Sequence, residues 1–364
     1  LPVGIDHVGL AAVLQALLDR HDALRGRLML DDPAEPVLRI EPRRPGLAES
    51  LLTRVDTSRS GTTPEQLADD HLAAAAGRLD PTAGVLARFV WLDPGPARAG
   101  HLLLVIHHLV VDGVSWRVLL ADLASAWAAV SAGAVPELPG VPTAWRTWAT
   151  ALAAEAATPA RTAELDLWTG MLADPAGADP TDERPGASTG RPGPLDPRRD
   201  TAGTAEHLLA TLPATRTAPL LTEVPAAFHA SAAEVLLTGL VLALAGHAGQ
   251  GGDAVLVEVE AHGREDGVAD VDLSRTVGWF TTAHPVRFDL AGIDRAAAAR
   301  GGPSAGQALK RVKERLRTLP DNGIGYGLLR HLNPRTAPVL ARLRGPDVAF
   351  NYLGRLDTAA TGAA

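Results

Sequence analysis

Two adjacent histidines, His107 and His108, are followed at a spacing of four by Asp112 and then by Gly113. These residue types suit proton chemistry. An imidazole titrates near neutrality, so it can take a proton from a carbon or oxygen acid and return it at working pH. A strand-end histidine pair is also a common structural feature, with one ring nitrogen bonded to a carbonyl, and spacing alone leaves both roles open. A metal site would need a third ligand; none lies nearby and no H-E-x-x-H follows. Asp112, just ahead of a glycine, suits holding the loop better than catalysis, with Arg25 as an expected partner.

The elements that must position this cluster can be read directly. Leu102 to Ile106 is an apolar run that predicts a buried strand. A second apolar segment begins at Val114 and predicts a helix to about Ser131, closed by Gly133. Side chains alternate along a strand, so His107 and His108 are expected to face opposite ways unless the strand has already ended. One then faces the interior and the other an opening, beside the N–H groups of a helix start.

Upstream, Val8 to Leu18 has helical spacing, continued by His21 to Arg25. A short strand pair is expected at Leu28 to Leu30 and Val37 to Ile40. Pro64 to Leu79 opens as helices do. Leu86 to Leu92 predicts the strand before the cluster. Helices are expected over Ala144 to Glu155 and Thr162 to Leu172, with Trp145, Trp148 and Trp168 as core packing.

From Asp174 to Thr204 the chain is rich in Pro, Gly, Asp and Arg, which predicts a linker. Beyond it the pattern restarts: strands at Glu206 to Leu212, Asp253 to Glu260, Val277 to Val286 and Val348 to Tyr352. Helices are expected at Ser231 to Ala245, capped by Ser231, at Ala305 to Leu319 and at Gly325 to Leu332. This divides the chain into lobes at 1–175 and 205–364, joined by 176–204.

Composition bounds the function. At 364 residues with 46% hydrophobic content, the chain can bury two cores, and its net charge of −8 without a basic run gives nucleic-acid binding little support. With no cysteine it forms no disulfide and no thioester on its own thiol. No apolar segment free of charge reaches spanning length and no signal peptide precedes the fold, so a soluble, cytoplasmic protein with no membrane partner is expected. Only Lys310 and Lys313 of the 34 basic residues are lysines, which with the abundance of Ala, Gly and Pro suggests a high-GC bacterial genome. Leu1 opens the chain without a methionine, so a piece of something longer is expected.

Taken whole, HHLVVDG matches HHxxxDG, and the chain resembles the condensation superfamily of nonribosomal peptide synthetases. Its continuation VSW, Val114 to Trp116, is similar to the branch that epimerises. VEVEAHGRED, Val257 to Asp266, resembles that branch's EGHGRE motif, with Glu260, His262, Gly263, Arg264 and Glu265 in place and Ala261 where the pattern has glycine. DLSRTVGWFTTAHPV from Asp272, KERLRTLPDNGIGYGLLRHL from Lys313 and FNYLG from Phe350 match further motifs in order, and ALLDRHDALRGRL looks like the family's early helix.

The resemblance implies an α/β fold of two chloramphenicol-acetyltransferase-like lobes in a V-shaped pseudo-dimer, with an active-site tunnel between them and each lobe truncated at its outer end. It implies epimerisation, L to D, of an aminoacyl or peptidyl thioester on the phosphopantetheine arm of a carrier domain, with no cofactor bound by the domain itself. The partners implied are an upstream carrier and a downstream condensation domain. The implied catalytic pair is His108 and Glu260, supported by His107, Asp112, Arg264, Asn351 and Tyr352. Read alone, Glu260 would be a solvated strand-end charge. Asn351 and Tyr352 suit either donors to an enolate oxygen or satisfied core polar groups. Trp279 and Phe280 are assigned to packing. A condensation domain and an inactive carrier-docking module are the other readings; VSW, EAHGRE and TVGWF speak against the first, and His108 with Glu260 against the second.

Overall fold

The computed structural model describes residues 1–32, 36–58, 61–173, 196, 198–247, 254–265, 268 and 270–354. Most of the expected linker (174–195 and 197) and residues 355–364 lie outside the described residues. The chain forms two compact units of mixed α/β content: 1–151 with 266–281, and 152–265 with 282–364. The first unit therefore ends at 151 instead of 175, and it also takes in a stretch of the second half. The helix Leu165–Leu172 goes with the second unit because its Trp168, Met171 and Leu172 belong to that core.

The first unit opens on the helix His7–Arg20, whose N-terminus is capped by Asp6 and which buries Leu10, Leu14, Leu17 and Leu18. Strands β1 (Gly26–Met29) and β2 (Val37–Ile40) pair antiparallel. A second sheet orders β3 (Leu52–Asp56), β4 (Ala87–Asp93) and β5 (His101–Ile106), with β4 central, parallel to β3 and antiparallel to β5. β4 is buried on both faces. Phe89 and Trp91 join the core beneath the helices His7–Arg20 and Gly113–Ser131, while Val90 and Leu92 pack with Ala75 of the helix Pro64–Ala76. Each fully buried side chain of this size contributes about 1.5–3 kcal/mol.

In the second unit β6 (Ala254–Ala261) lies between β7 (Thr282–Asp289) and the two-residue β8 (Ala349–Phe350), antiparallel to β7 and parallel to β8. The helices Leu165–Leu172, Ala232–His247 and Pro303–Arg317 supply its core, around Trp168, Leu237, Val257, Phe288 and Val312. Ser231 caps as expected: its Oγ accepts from the Glu234 N–H, and Glu234 accepts from the Ser231 N–H in return.

Three expected strands differ. Residues 206–212 are irregular, with Leu208 98% and Leu209 92% exposed, since no ladder among the described residues pairs with them. Val277 to Thr281 is no strand either, because side chains of the first unit engage its amides; the ladder starts at Thr282. The last strand keeps only Ala349 and Phe350. No single helix among the described residues is long and apolar enough to cross a membrane.

Candidate functional site

The strand β5 ends at Ile106, so the two histidines do not alternate across a sheet. His107 caps the 3-10 turn His108–Val110, its Nδ1 accepting from the Leu109 N–H at 3.1 Å. That hydrogen bond commits the ring of His107 to the backbone. His108 is exposed, and its ring lies 4.8 Å from that of Trp279, centroid to centroid, with the planes at 55°. The two rings are thus set apart by the turn and not by the pleat of a strand.

Val110 and Val111 turn inward, and Asp112 follows, buried at 3% exposure. Its Oδ1 accepts from the Ser115 N–H at 2.7 Å and so caps the helix Gly113–Ser131. Its Oδ2 accepts from the Phe280 N–H at 3.1 Å. Asp112 therefore holds the loop as expected, through backbone amides and not through Arg25. The Arg25 guanidinium instead donates to the Leu18, Asp19 and Glu41 carbonyls, closing the C-terminus of the helix His7–Arg20.

Ser115, fully buried, bonds Gly278 in both directions. A β-carbon on Gly278 would come within 2.8–2.9 Å of the Trp145 indole, so only glycine lets the backbone approach this closely. Farther along, Thr276 donates to the Thr143 carbonyl at 2.7 Å. Arg275 donates to both oxygens of Asp122, at 2.7 and 2.8 Å, and the buried His21 ring meets the same carboxylate at 2.9 Å. Burial pushes the Asp122 carboxyl up, but His21 and Arg275 outweigh it and hold it below the ordinary carboxylate value. The whole stretch 275–280 is thus fastened to the first unit by side chains that Asp112, Ser115 and Asp122 offer to it.

The second unit carries Glu260, Arg264, Asn351 and Tyr352. Glu260 is half-buried on β6 opposite Ala283. Ala261 is the last residue of that strand, paired with Thr282, where an alanine fits as well as a glycine. The left-handed residue is Gly263, at φ 67°, so the loop needs its glycine there. Arg264 is half-buried, its N–H donating to His262 Nδ1 at 3.0 Å, and Glu265 accepts from Asn322 at 2.8 Å. β8 pairs Phe350 with Val259, so the exposed Asn351 leaves the sheet level with Glu260, with the half-buried Tyr352 next.

The PDNGIGYG stretch supports this loop. Asp321, Asn322 and Gly323 take positive φ in succession, at 42°, 50° and 83°. Asp321 is tied to the buried Arg161 at 2.7 Å, and Arg161 also pairs with Glu155 at 3.0 Å and Glu164 at 2.6 Å. Gly323 lies on the His284 ring and Gly325 on the Glu164 carboxylate, each too close for a β-carbon. Burial lowers His284 to about 4. Tyr326 packs edge-on against Trp168 with centroids 5.6 Å apart; burial raises its hydroxyl, Arg330 opposes this, and Glu258 adds to it.

The structure groups His107, His108 and Asp112 in the first unit and Glu260, Arg264, Asn351 and Tyr352 in the second. Sequence reasoning missed Ser115, Asp122, Arg161 and Asn322, and it gave Trp279 to packing although 48% of that residue is exposed. One signal was available for Trp279: the glycine before it marks a backbone pressed against a neighbour.

The chain is 37% identical over 285 residues to chondramide synthase cmdD of Chondromyces crocatus, covering 77% of this chain and 6% of that protein. It is 34% identical over 359 residues to surfactin synthase subunit 1 of Bacillus subtilis (strain 168), covering 97% and 9%. The chain thus spans less than a tenth of the length of either relative. Among solved structures, the epimerization domain from the third module of tyrocidine synthetase B superposes with a TM-score of 0.73 at 26% identity, over 97% of this chain and 75% of that one. The first condensation domain of the calcium-dependent antibiotic synthetase shares the fold with a TM-score of 0.66 at 18% identity, over 96% and 74%. The condensation-domain family model matches residues 1–363, and with the HHxxxDG turn built as described, the chain belongs to the condensation-domain family of nonribosomal peptide synthetases.

Proposed function

We propose that the chain is an epimerisation domain that inverts the Cα of an aminoacyl or peptidyl group, presented as a thioester on the phosphopantetheine arm of a carrier domain. One observation carries the reading over amide-bond formation. The two segments that set the epimerising branch apart in sequence, Val114 to Trp116 and Thr276 to Thr281, are joined to each other through Ser115 and Gly278. The 26% identity to an epimerization domain supports it further.

In this reading the thioester carbonyl acidifies the Cα proton, and a positioned base adds roughly 10²–10⁴-fold. His108 is that base. Glu260 is the second titrating group, working on the other enantiomer. Arg264 orients Glu260 or binds the enolate, and Asn351 and Tyr352 donate to the enolate oxygen. The chain binds no cofactor of its own. An upstream peptidyl carrier delivers the substrate, and a downstream condensation domain draws on the D product.

The test supplies carrier loaded with L- or D-substrate in deuterated solvent and follows Cα deuterium and configuration. Epimerisation with deuterium uptake, lost in His108→Ala and reduced by orders of magnitude in Glu260→Gln, is the expected result. An amide product on adding an acceptor carrier would make the chain a condensation domain, and binding without turnover would make it a docking module. An undiminished rate in Glu260→Gln would leave a one-base mechanism at His108.

A further inference from the structure

We propose that Trp279 is a positioning residue for His108, holding the imidazole in one orientation and favouring its cation as the proton arrives. The inference rests on His108 being the group that takes the substrate proton.

Trp279 is 48% exposed, an unusual place for the largest apolar side chain, yet the residues on both sides of it are anchored. Gly278 before it bonds Ser115 twice and lies against Trp145; Phe280 after it is buried and donates to Asp112. Two buried anchors thus present one exposed indole, and it meets the His108 ring at 4.8 Å. A contact at this range constrains the ring about its last torsion. It also attracts a cation, since the face of an indole carries negative charge.

The step that uses this contact moves a proton from Cα to a ring nitrogen of His108. The C–H electron pair passes into the thioester carbonyl as an enolate, and the imidazole becomes a cation. A neighbour that prefers the cation contributes more to the transition state than to the ground state, so its loss falls on kcat and not on KM. Other titratable groups of this turn are already committed: His107 to the Leu109 amide, Asp112 to Ser115 and Phe280.

The experiment has two arms. In the first, Trp279→Phe and Trp279→Leu are compared with the unmutated chain on loaded carrier, in whichever reaction, epimerisation or condensation, the chain runs. The expected result is a kcat roughly five- to tenfold lower for Leu with KM unchanged, and most of the rate recovered with Phe. Equal kcat in all three, equal losses in both variants, or an effect on KM alone overturns the proposal. In the second arm, the fluorescence of Trp279 is isolated as the difference between the unmutated chain and Trp279→Phe, and is followed as the solution is acidified. An imidazolium in contact quenches indole, so quenching that disappears in His108→Gln is expected. Quenching that survives His108→Gln overturns the proposal. Should the unmutated chain turn over no substrate while the His108-dependent quenching stands, the failure lies with the assigned reaction and not with the contact.

Discussion

Ser115 and Gly278 bond each other twice across 163 residues of chain: the Ser115 hydroxyl donates to the Gly278 carbonyl at 2.9 Å and accepts from its N–H at 3.2 Å. Both partners are buried, so neither backbone group can turn to water. Ser115→Ala is expected to strand both and to cost about 2–4 kcal/mol. Urea unfolding of the variant, compared with an exposed control such as Ser125→Ala, measures it; equal midpoints would mean that the pair contributes nothing.

The two histidines should separate by phenotype. His107→Ala removes the side-chain acceptor of the Leu109 amide and is expected to lower stability by about 1 kcal/mol while keeping most of the Cα exchange. His108→Ala removes an exposed ring, so it should leave the melting temperature within a degree or two and abolish exchange. Equal activity losses in two folded variants would refute this division.

Glycine positions give a graded set. Gly323→Ala meets both a left-handed backbone and the His284 ring, and Gly325→Ala meets the Glu164 carboxylate, so each should cost at least about 3 kcal/mol or prevent folding. Ala261→Gly should restore the family pattern to no benefit, costing about 0.5–1 kcal/mol because it loosens an extended strand residue. Thermal denaturation of the three ranks them.

Acid should loosen the second unit through His284. Burial lowers its pKa from 6.5 to about 4, so between those values the unfolded chain binds the extra proton and stability rises with pH. The contribution is complete above about pH 6.5 and is lost as pH falls through about 4, up to about 3 kcal/mol in all. His284→Gln should flatten this part of the stability–pH curve. Denaturation at pH 7 and pH 4.5 compares the slopes, and identical slopes would remove His284 as the acid-sensitive group.

Much of the fold was legible because its elements are local. The helix His7–Arg20 declares itself by apolar spacing, β5 by an uninterrupted apolar run, and the helix Ala232–His247 by its apolar run with Ser231 at the start. What escaped was whatever depends on a distant partner. Val277 to Thr281 has the composition of a strand, but Ser115 and Asp112 take its amides. Glu206 to Leu212 has a strand's composition too, and no ladder among the described residues receives it. The site was legible as motifs and not as contacts. The histidines and Asp112 stood out by type and spacing and Glu260 only by its resemblance to the EGHGRE motif, whereas Arg161 gathering Glu155, Glu164 and Asp321 lies in no local pattern.

Fastening 275–280 by side chains has a consequence for anyone recombining synthetase modules. A loop held by a backbone ladder can be moved between relatives with little regard to sequence. This one is addressed to particular receivers: Asp112 for Phe280, Ser115 for Gly278, Asp122 for Arg275. A chimera that exchanges the loop alone loses an anchor wherever the host has another residue at one of those positions. The transplantable unit is therefore discontinuous, the loop together with the first turns of the Gly113–Ser131 helix, and a crossover placed inside the chain between that helix and Arg275 would cut through it.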